Sequence, residues 1–193
     1  MTSSVPLFST KIVKNSDRVI CIDNNKKGKI MNHQNWTQIR KVVANAQRAS
    51  MHCSIATVDQ NYQPTITPIG TLFLHESTFS GFFFDTYSAS LRDNLTMNPK
   101  ACIQAINSSK VFWLKSLING QFQEYPGIRL YAEIGELRPA SETEFALVQQ
   151  RIKALKWTKG SRLIWNNFHQ VRDFSVHDFK WVQYPAMMPK SSF

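Results

Sequence analysis

The stretch from Ser54 to Ile106 limits what this chain can become more than any other part of it. It is built from extended segments separated by turns of only a few residues. Cys53 to Val58 is apolar and partly β-branched, Asp59 to Tyr62 is turn chemistry, and Pro64 opens a longer run from Thr65 to His75. Glu76-Ser77 then turns the chain back into Thr78 to Phe84. Connections this short force antiparallel pairing, because a parallel crossover needs about a dozen residues or more. Consecutive antiparallel strands with more to follow predict a barrel or a sandwich. Alternation through the long run places Ile66, Pro68, Gly70, Leu72 and Leu74 on one face, with threonines on much of the other. In the first turn, Asn61 is the residue best suited to a positive φ.

Helices flank these strands. Asn35 is the expected cap of a helix whose apolar positions Trp36, Ile39, Val42, Val43 and Ala46 recur at helical spacing and which ends near Ala49-Ser50. Ser88 or Ser90 caps a short helix that Asn98-Pro99 stops, and Lys100 to Ile106 is the next strand. Between Asn107 and Gly127 the pattern breaks into a helical excursion around Val111–Leu114 and Leu117-Ile118. Arg129 to Leu137 alternates again, with Leu130, Ala132 and Ile134 on one side. Ser141-Glu-Thr-Glu144 reads as a capping box opening a helix through about Leu155. Phe179 to Tyr184 is the expected last strand, and Arg18 to Ile22 a short one followed by turn chemistry over Asp23–Gly28. The expected organisation is one mostly-β domain over 1–193, a β-barrel with flanking helices. Its parts are an arm at 1–31, the main barrel region at 32–139, and a helical, aromatic and basic part at 140–193.

Composition supports that reading. A chain of 193 residues that is 42% hydrophobic, with five Trp and thirteen Phe, supplies a core for one domain. The three Cys (Cys21, Cys53, Cys102) are far apart and form no CxxC pair, which predicts reduced thiols and a cytoplasm-like compartment. The N-terminal sequence has no long apolar region behind a basic start, so no secretory signal is expected. The least charged stretch, Gln60 to Phe84, has Glu76 within it and Asp85 at its edge. Pro64, Pro68, Gly70 and Gly81 interrupt it, which suits strands better than a membrane span. A formal net charge of +10 favours anionic partners. Lys and Arg are nevertheless scattered, apart from Lys26, Lys27 and Lys29, so a solvated basic surface is the competing reading.

Single-motif signatures of hydrolases, P-loop enzymes and dinucleotide-binding folds are missing: there is no G-x-S-x-G, no P-loop and no G-x-G-x-x-G. His33, His52, His75, His169 and His177 do not stand at metal-ligand spacing, so no metal is expected, although His169 and His177 could meet in space. Paired-carboxylate chemistry has no candidate, and no catalytic side chain is assigned. What remains is the cluster from Phe82 to Asn94, F-F-F-D-T-Y-S-A-S-L-R-D-N. An anion needs converging donors, and a helix start offers free N–H groups and a positive dipole end. Thr86, Ser88 and Ser90 add hydroxyls, and Arg92 adds a planar fork suited to phosphate. The competing reading is an ordinary capped helix carrying a surface arginine.

Three pieces in order carry a resemblance: I-A-T-V-D from Ile55 followed by P-T-I-T-P from Pro64, then F-F-F-D-T from Phe82, then S-A-S-L-R-D-N-L-T-M-N-P-K-A from Ser88. Together they resemble the pyridoxamine 5'-phosphate oxidase-like superfamily of FMN-binding split β-barrels, over Cys53 to about Ile106, with Arg129–Arg138 fitting the next barrel strand. The resemblance implies an antiparallel Greek-key split barrel of the FMN-binding type. It implies a flavin ring lying along Thr65–Thr71 on backbone groups, which nominates Thr67, Pro68, Ile69 and Gly70, and a phosphate held by Thr86, Ser88, Ser90 and Arg92. It further implies a homodimer with FMN at the interface, where the second copy contributes from around Trp113 and Lys115 or from the tail near Trp165. Plain packing is the competing role for both tryptophans.

The activity implied is that of an FMN-dependent oxidoreductase acting on a small reducible compound, such as a reduced nicotinamide or a quinone-like molecule. The sequence departs from the family at Tyr62, where Gly is common, and at Leu91, where a basic residue is often found. No residues in the C-terminal part match those that bind substrate phosphate in true pyridoxamine 5'-phosphate oxidases, which argues against that particular activity. Two other readings stand beside this one. One is a basic nucleic-acid-binding module without cofactor, although no helix-turn-helix or RNA-recognition motif is visible. The other is a split barrel holding haem or a deazaflavin.

Overall fold

The computed structural model of the chain describes residues 11–15, 18–22, 31–86, 88–153, 158–160 and 169–188. Near the N-terminus, β1 (Lys11–Asn15) and β2 (Arg18–Ile22) form a two-stranded antiparallel sheet, which includes the expected strand at Arg18–Ile22. The expected turn at Asp23–Gly28 lies outside the described residues.

Helix α1 (His33–Ser50) buries Trp36, Ile39, Val42, Val43 and Ala46, the stripe read from its spacing. Its cap is Asn32 rather than Asn35. The Asn32 side chain accepts from the Asn35 N–H at 2.7 Å, so Asn35 is the third helical residue and receives the cap instead of providing it. Met51, in the left-handed region at φ 65°, ends the helix by donating its N–H to the Gln47 carbonyl.

Seven strands follow: β3 (Cys53–Val58), β4 (Pro64–Ile69), β5 (Leu72–Leu74), β6 (Ser80–Phe84), β7 (Lys100–Ile106), β8 (Gly127–Pro139) and β9 (Gln170–Trp181). They pair, all antiparallel, in the order β4-β3-β7-β8-β9-β6-β5. Read from the C-terminus, β9, β8 and β7 are consecutive neighbours and β6 returns beside β9, the connectivity of a Greek key. Three further helices stand between the strands: α2 (Ala89–Met97), α3 (Lys110–Asn119) and α4 (Glu142–Ile152).

The expected single run from Thr65 to His75 is two strands on opposite edges of the sheet, joined only by Gly70 and Thr71. Three Cα steps of about 3.8 Å span at most about 11 Å. The edges of a flat seven-stranded sheet would lie about 29 Å apart, at about 4.8 Å per strand spacing. The sheet therefore curls until its two edges meet without pairing, which makes it a split barrel. The face alternation expected across the run breaks at the same place, with Ile66 72% exposed but Leu72 1%. Pro64 and Pro68 are compatible with β4 because it is an edge strand, where a missing N–H leaves no ladder bond unmade.

In the β3–β4 hairpin, Tyr62 rather than Asn61 takes the positive φ, at 61°. The Asp59 carboxylate sets this geometry by accepting from the N–H groups of Asn61 and Gln63, both at 2.8 Å, while the Tyr62 N–H reaches the Asp59 carbonyl at 3.0 Å. Strand β9 begins nine residues before the expected Phe179 and ends at Trp181. Its inward residues Phe174 and Val176 change parity to Phe179 and Trp181, because Ala132 pairs with Val176 and Tyr131 with Asp178, leaving His177 as an inserted bulge residue. The capping box at Ser141 and Glu144 forms as expected, and α4 runs to Ile152.

One apolar face of the curled sheet packs on α1 and on Leu91 and Leu95 of α2, forming the main core. A second cluster joins Phe82, Phe84 and Val171 on the outer face to Val148 and Ile152 of α4. Burial on both faces explains why Phe82-Phe83-Phe84 is an unbroken apolar run rather than an alternating one. Among the described residues, no helix is long and apolar enough to cross a membrane.

Candidate functional site

The junction from β6 to α2 carries the cluster singled out in the sequence. Ser88, not Ser90, is the helix cap: its Oγ accepts from the Leu91 N–H at 3.1 Å and lies 3.3 Å from the Ser90 hydroxyl. Ser90 is exposed and Arg92 half-buried. Two donors here are buried without a hydrogen-bond partner among the described residues, Thr86 Oγ1 and Arg92 Nε. Stranding a buried polar atom is costly, at about 1–3 kcal/mol each, and the first turn of a helix adds free N–H groups beside them.

Leu91 faces the other way. It is 1% exposed and belongs to the main core, so position 91 in this chain serves packing and Arg92 is the cation of this turn.

Contacts that sequence reasoning missed hold the junction in place. Buried Asn94 donates to Thr57 Oγ1 at 3.0 Å and to Thr65 Oγ1 at 2.9 Å, and the two hydroxyls lie 3.1 Å apart. This triangle ties α2 to the β3–β4 hairpin and so sets the helix start relative to β4. Asp85, next to Thr86, pairs with Arg172 of β9 through Nε and Oδ2 at 2.8 Å, both nearly sealed from solvent, while its Oδ1 accepts no bond. The signal available in the sequence was an arginine inside an otherwise apolar-alternating segment, Val171-Arg-Asp-Phe174.

The residues nominated for the ring occupy the end of β4 and the turn after it. Thr67 is half-buried, Pro68 exposed, Ile69 7% exposed and Gly70 half-buried. The Gly70 carbonyl accepts from Arg151 Nη1 of α4 at 2.9 Å, and Leu72 O from the same nitrogen at 3.1 Å. Trp113 and Lys115 lie on α3. The Trp113 indole donates to the Asn107 carbonyl at 2.8 Å, and its ring packs edge-on against Phe122 and Tyr184. Trp113 is therefore part of an aromatic cluster of its own chain, and Lys115 is exposed. Trp165 lies outside the described residues. Among the described residues no group of three His, Cys, Asp or Glu could hold a metal, and Cys53 and Cys102 are free thiols.

No protein-family model matches the sequence, and no curated protein aligns with it significantly. Solved structures do resemble the fold. An FMN-binding protein from Syntrophomonas wolfei subsp. wolfei superposes with a TM-score of 0.54 at 16% identity, over 78% of this chain and 90% of that one. HupZ of Group A Streptococcus superposes with a TM-score of 0.51 at 14% identity, over 78% of this chain and 96% of that one. At these identities the likeness is one of fold. By that fold, the chain is a split β-barrel like these structures.

Proposed function

We propose that this protein binds FMN, with the phosphate at the start of α2 and the ring along the end of β4, and works as a flavin-dependent oxidoreductase on a small reducible compound. The observation that carries this reading is the pair of buried, unpartnered donors Thr86 Oγ1 and Arg92 Nε beside the first turn of α2. A phosphate satisfies donors of this kind, and Ser88 and Ser90 can add their hydroxyl protons. The free Asp85 Oδ1 is an acceptor, suited to a hydroxyl of the ligand's chain, while Arg172 keeps the carboxylate's charge from opposing an anion.

When bound, the flavin supplies hydride or electron transfer. The protein's own part is to bind and orient. Along the open edge of β4 the Pro68 carbonyl and the Gly70 backbone would offer hydrogen-bonding groups to the ring, flanked by Thr67 and Ile69, whose own backbone groups face β3. Arg151 holds the Gly70 carbonyl in place.

Two copies of the chain are part of this reading. Val111, Leu114, Leu117 and Ile118 on α3, and separately Ile66 on β4, are between 60% and 75% exposed, apolar side chains suited to cover by a partner. Lys115 and Trp113 on α3 would then lie near the partner's site.

Titration with FMN and with riboflavin, followed by flavin fluorescence, tests the proposal. Wild type should bind FMN more tightly than riboflavin. Arg92→Ala should weaken FMN by roughly tenfold or more, as loss of a charge-assisted contact implies, and bring it close to riboflavin. Equal affinity of the wild type for FMN and riboflavin, or unchanged FMN binding in Arg92→Ala, would remove the phosphate role from this junction.

A further inference from the structure

A groove that Gly70 lines at one end makes a second site. Its floor is the exposed face of α1, and its walls are β5 and the last turn of α4. It widens into two adjoining cavities, of about 400 and 430 Å³, that share Ala44, Gln47 and Arg151. Each cavity is lined by cations besides Arg151, but their charge balance differs. In the first, Arg40 is paired with Glu76 and Lys41 with Glu124, both at 2.6 Å. The second contains Arg48 and Arg151, and among the described residues no carboxylate lines it and neither arginine has an ion-pair partner.

These two guanidiniums are held by neutral groups. Arg48 donates to the Asn45 side-chain oxygen and the Ala44 carbonyl. Arg151 donates to the Gly70 and Leu72 carbonyls, and its guanidinium carbon sits 3.8 Å above the centre of the Phe73 ring. Such partners fix position and leave the positive charge uncancelled. Packing draws water away from Arg151 and lowers its pKa from the ordinary arginine value, while it stays cationic. The titratable group acting on it is Cys53, whose thiol burial pushes up to about 12, so it is neutral and offers no counter-charge at ordinary pH. Met51 and Ile152 give the same cavity apolar wall.

We propose that the cavity between α1 and α4 binds an organic anion with an apolar body, its charged group clamped between Arg48 and Arg151 and its body against Met51 and Ile152. The ligand class follows from two positioned, uncompensated guanidiniums beside apolar wall, and it does not depend on whether FMN binds at α2.

The probe is 1-naphthoate, followed by its fluorescence on titration with the full chain, with 1-naphthalenemethanol as the neutral counterpart of the same shape. Wild type should bind the carboxylate at least roughly tenfold more tightly than the alcohol, the scale of one charge-assisted contact. Arg48→Gln, on the exposed face of α1 and so harmless to the fold, should remove most of that preference, and Arg151→Gln should do the same. Arg92→Ala should leave it unchanged. Equal binding of acid and alcohol, or full preference retained in both Arg48→Gln and Arg151→Gln, overturns the proposal. Loss of the preference in Arg92→Ala overturns it too, since it would put the anion at the start of α2.

Discussion

Arg172 of β9 and Asp85 at the end of β6 form an ion pair with 7% and 1% of their side chains exposed, Nε to Oδ2 2.8 Å. A second guanidinium nitrogen of Arg172 donates to the Gly135 carbonyl at 3.1 Å, so one side chain ties together β6, β8 and β9. Removing one member strands the other's charge out of water. Asp85→Ala should therefore cost about 3–5 kcal/mol in chemical denaturation, and Arg172→Leu a similar amount. The double variant Asp85→Leu/Arg172→Met should lose clearly less than the two single losses added together, because no charge is then left unpaired.

Asn94 is the only described side chain that joins α2 to both hydroxyls of the Thr57–Thr65 pair. Asn94→Leu is expected to lower the urea midpoint by an amount equivalent to about 1–3 kcal/mol. It should also weaken FMN binding, since the helix start is positioned through this contact. A variant as stable as wild type would show that the triangle contributes nothing to holding α2.

Arg138 grips Glu144 and Asp173 at once, with contacts of 2.6–2.9 Å. The Arg138 hydrogen bonds, aided by those from Ser141, hold the Glu144 carboxyl at about 2, below its ordinary value of 4.5. A depressed folded-state pKa means the unfolded chain takes up the proton first on acidification. The stabilisation from Glu144 is therefore fully present above pH 4.5 and drains away as pH falls toward 2. Glu144→Gln keeps the capping geometry but has no such proton. Its stability deficit relative to wild type, measured by denaturant unfolding, should be largest near neutrality and shrink steadily below pH 4.5.

Tyr62 holds a left-handed backbone, φ 61°, with its side chain 85% exposed. The ring gains little from packing, while the backbone costs about 1 kcal/mol or more for a residue with a Cβ. Tyr62→Gly should raise the thermal midpoint, equivalent to about 0.5–1 kcal/mol after glycine's own entropy cost is taken off. A drop in the midpoint would mean that Tyr62 has a packing role hidden by the isolated chain.

Much of the architecture was legible because its causes are local. Strands β3 and β7 have the bounds read from the sequence, and the buried stripe of α1 and the capping box of α4 follow from spacing within a turn or two. The hydroxyl-rich helix start at Thr86–Arg92 was legible for the same reason, since capping chemistry acts over three or four residues. The errors came where a local pattern had two solutions. Asn32 and Asn35 can both cap, and only the helix's packed phase selects Asn32. Asn61 prefers a positive φ more than Tyr62 does, yet the Asp59 carboxylate, bonded to both Asn61 and Gln63, puts the left-handed residue one place later.

The sequence by itself determined the strand-turn-strand rhythm from Cys53 to Ile106, the helix stripes and the anion-friendly chemistry at Thr86–Arg92. Only the tertiary structure decided that the run after Pro64 leaves one sheet edge and rejoins the other at Leu72, and that an inserted His177 splits the pattern of β9. It also decided the partners of Asn94, 29 and 37 residues distant along the chain, and of Arg172, 87 residues distant. Hydrophobic alternation states which side of a strand is buried but not which strand lies beside it. That choice, with the buried polar pairs it creates, rests on how a curled sheet closes around α1.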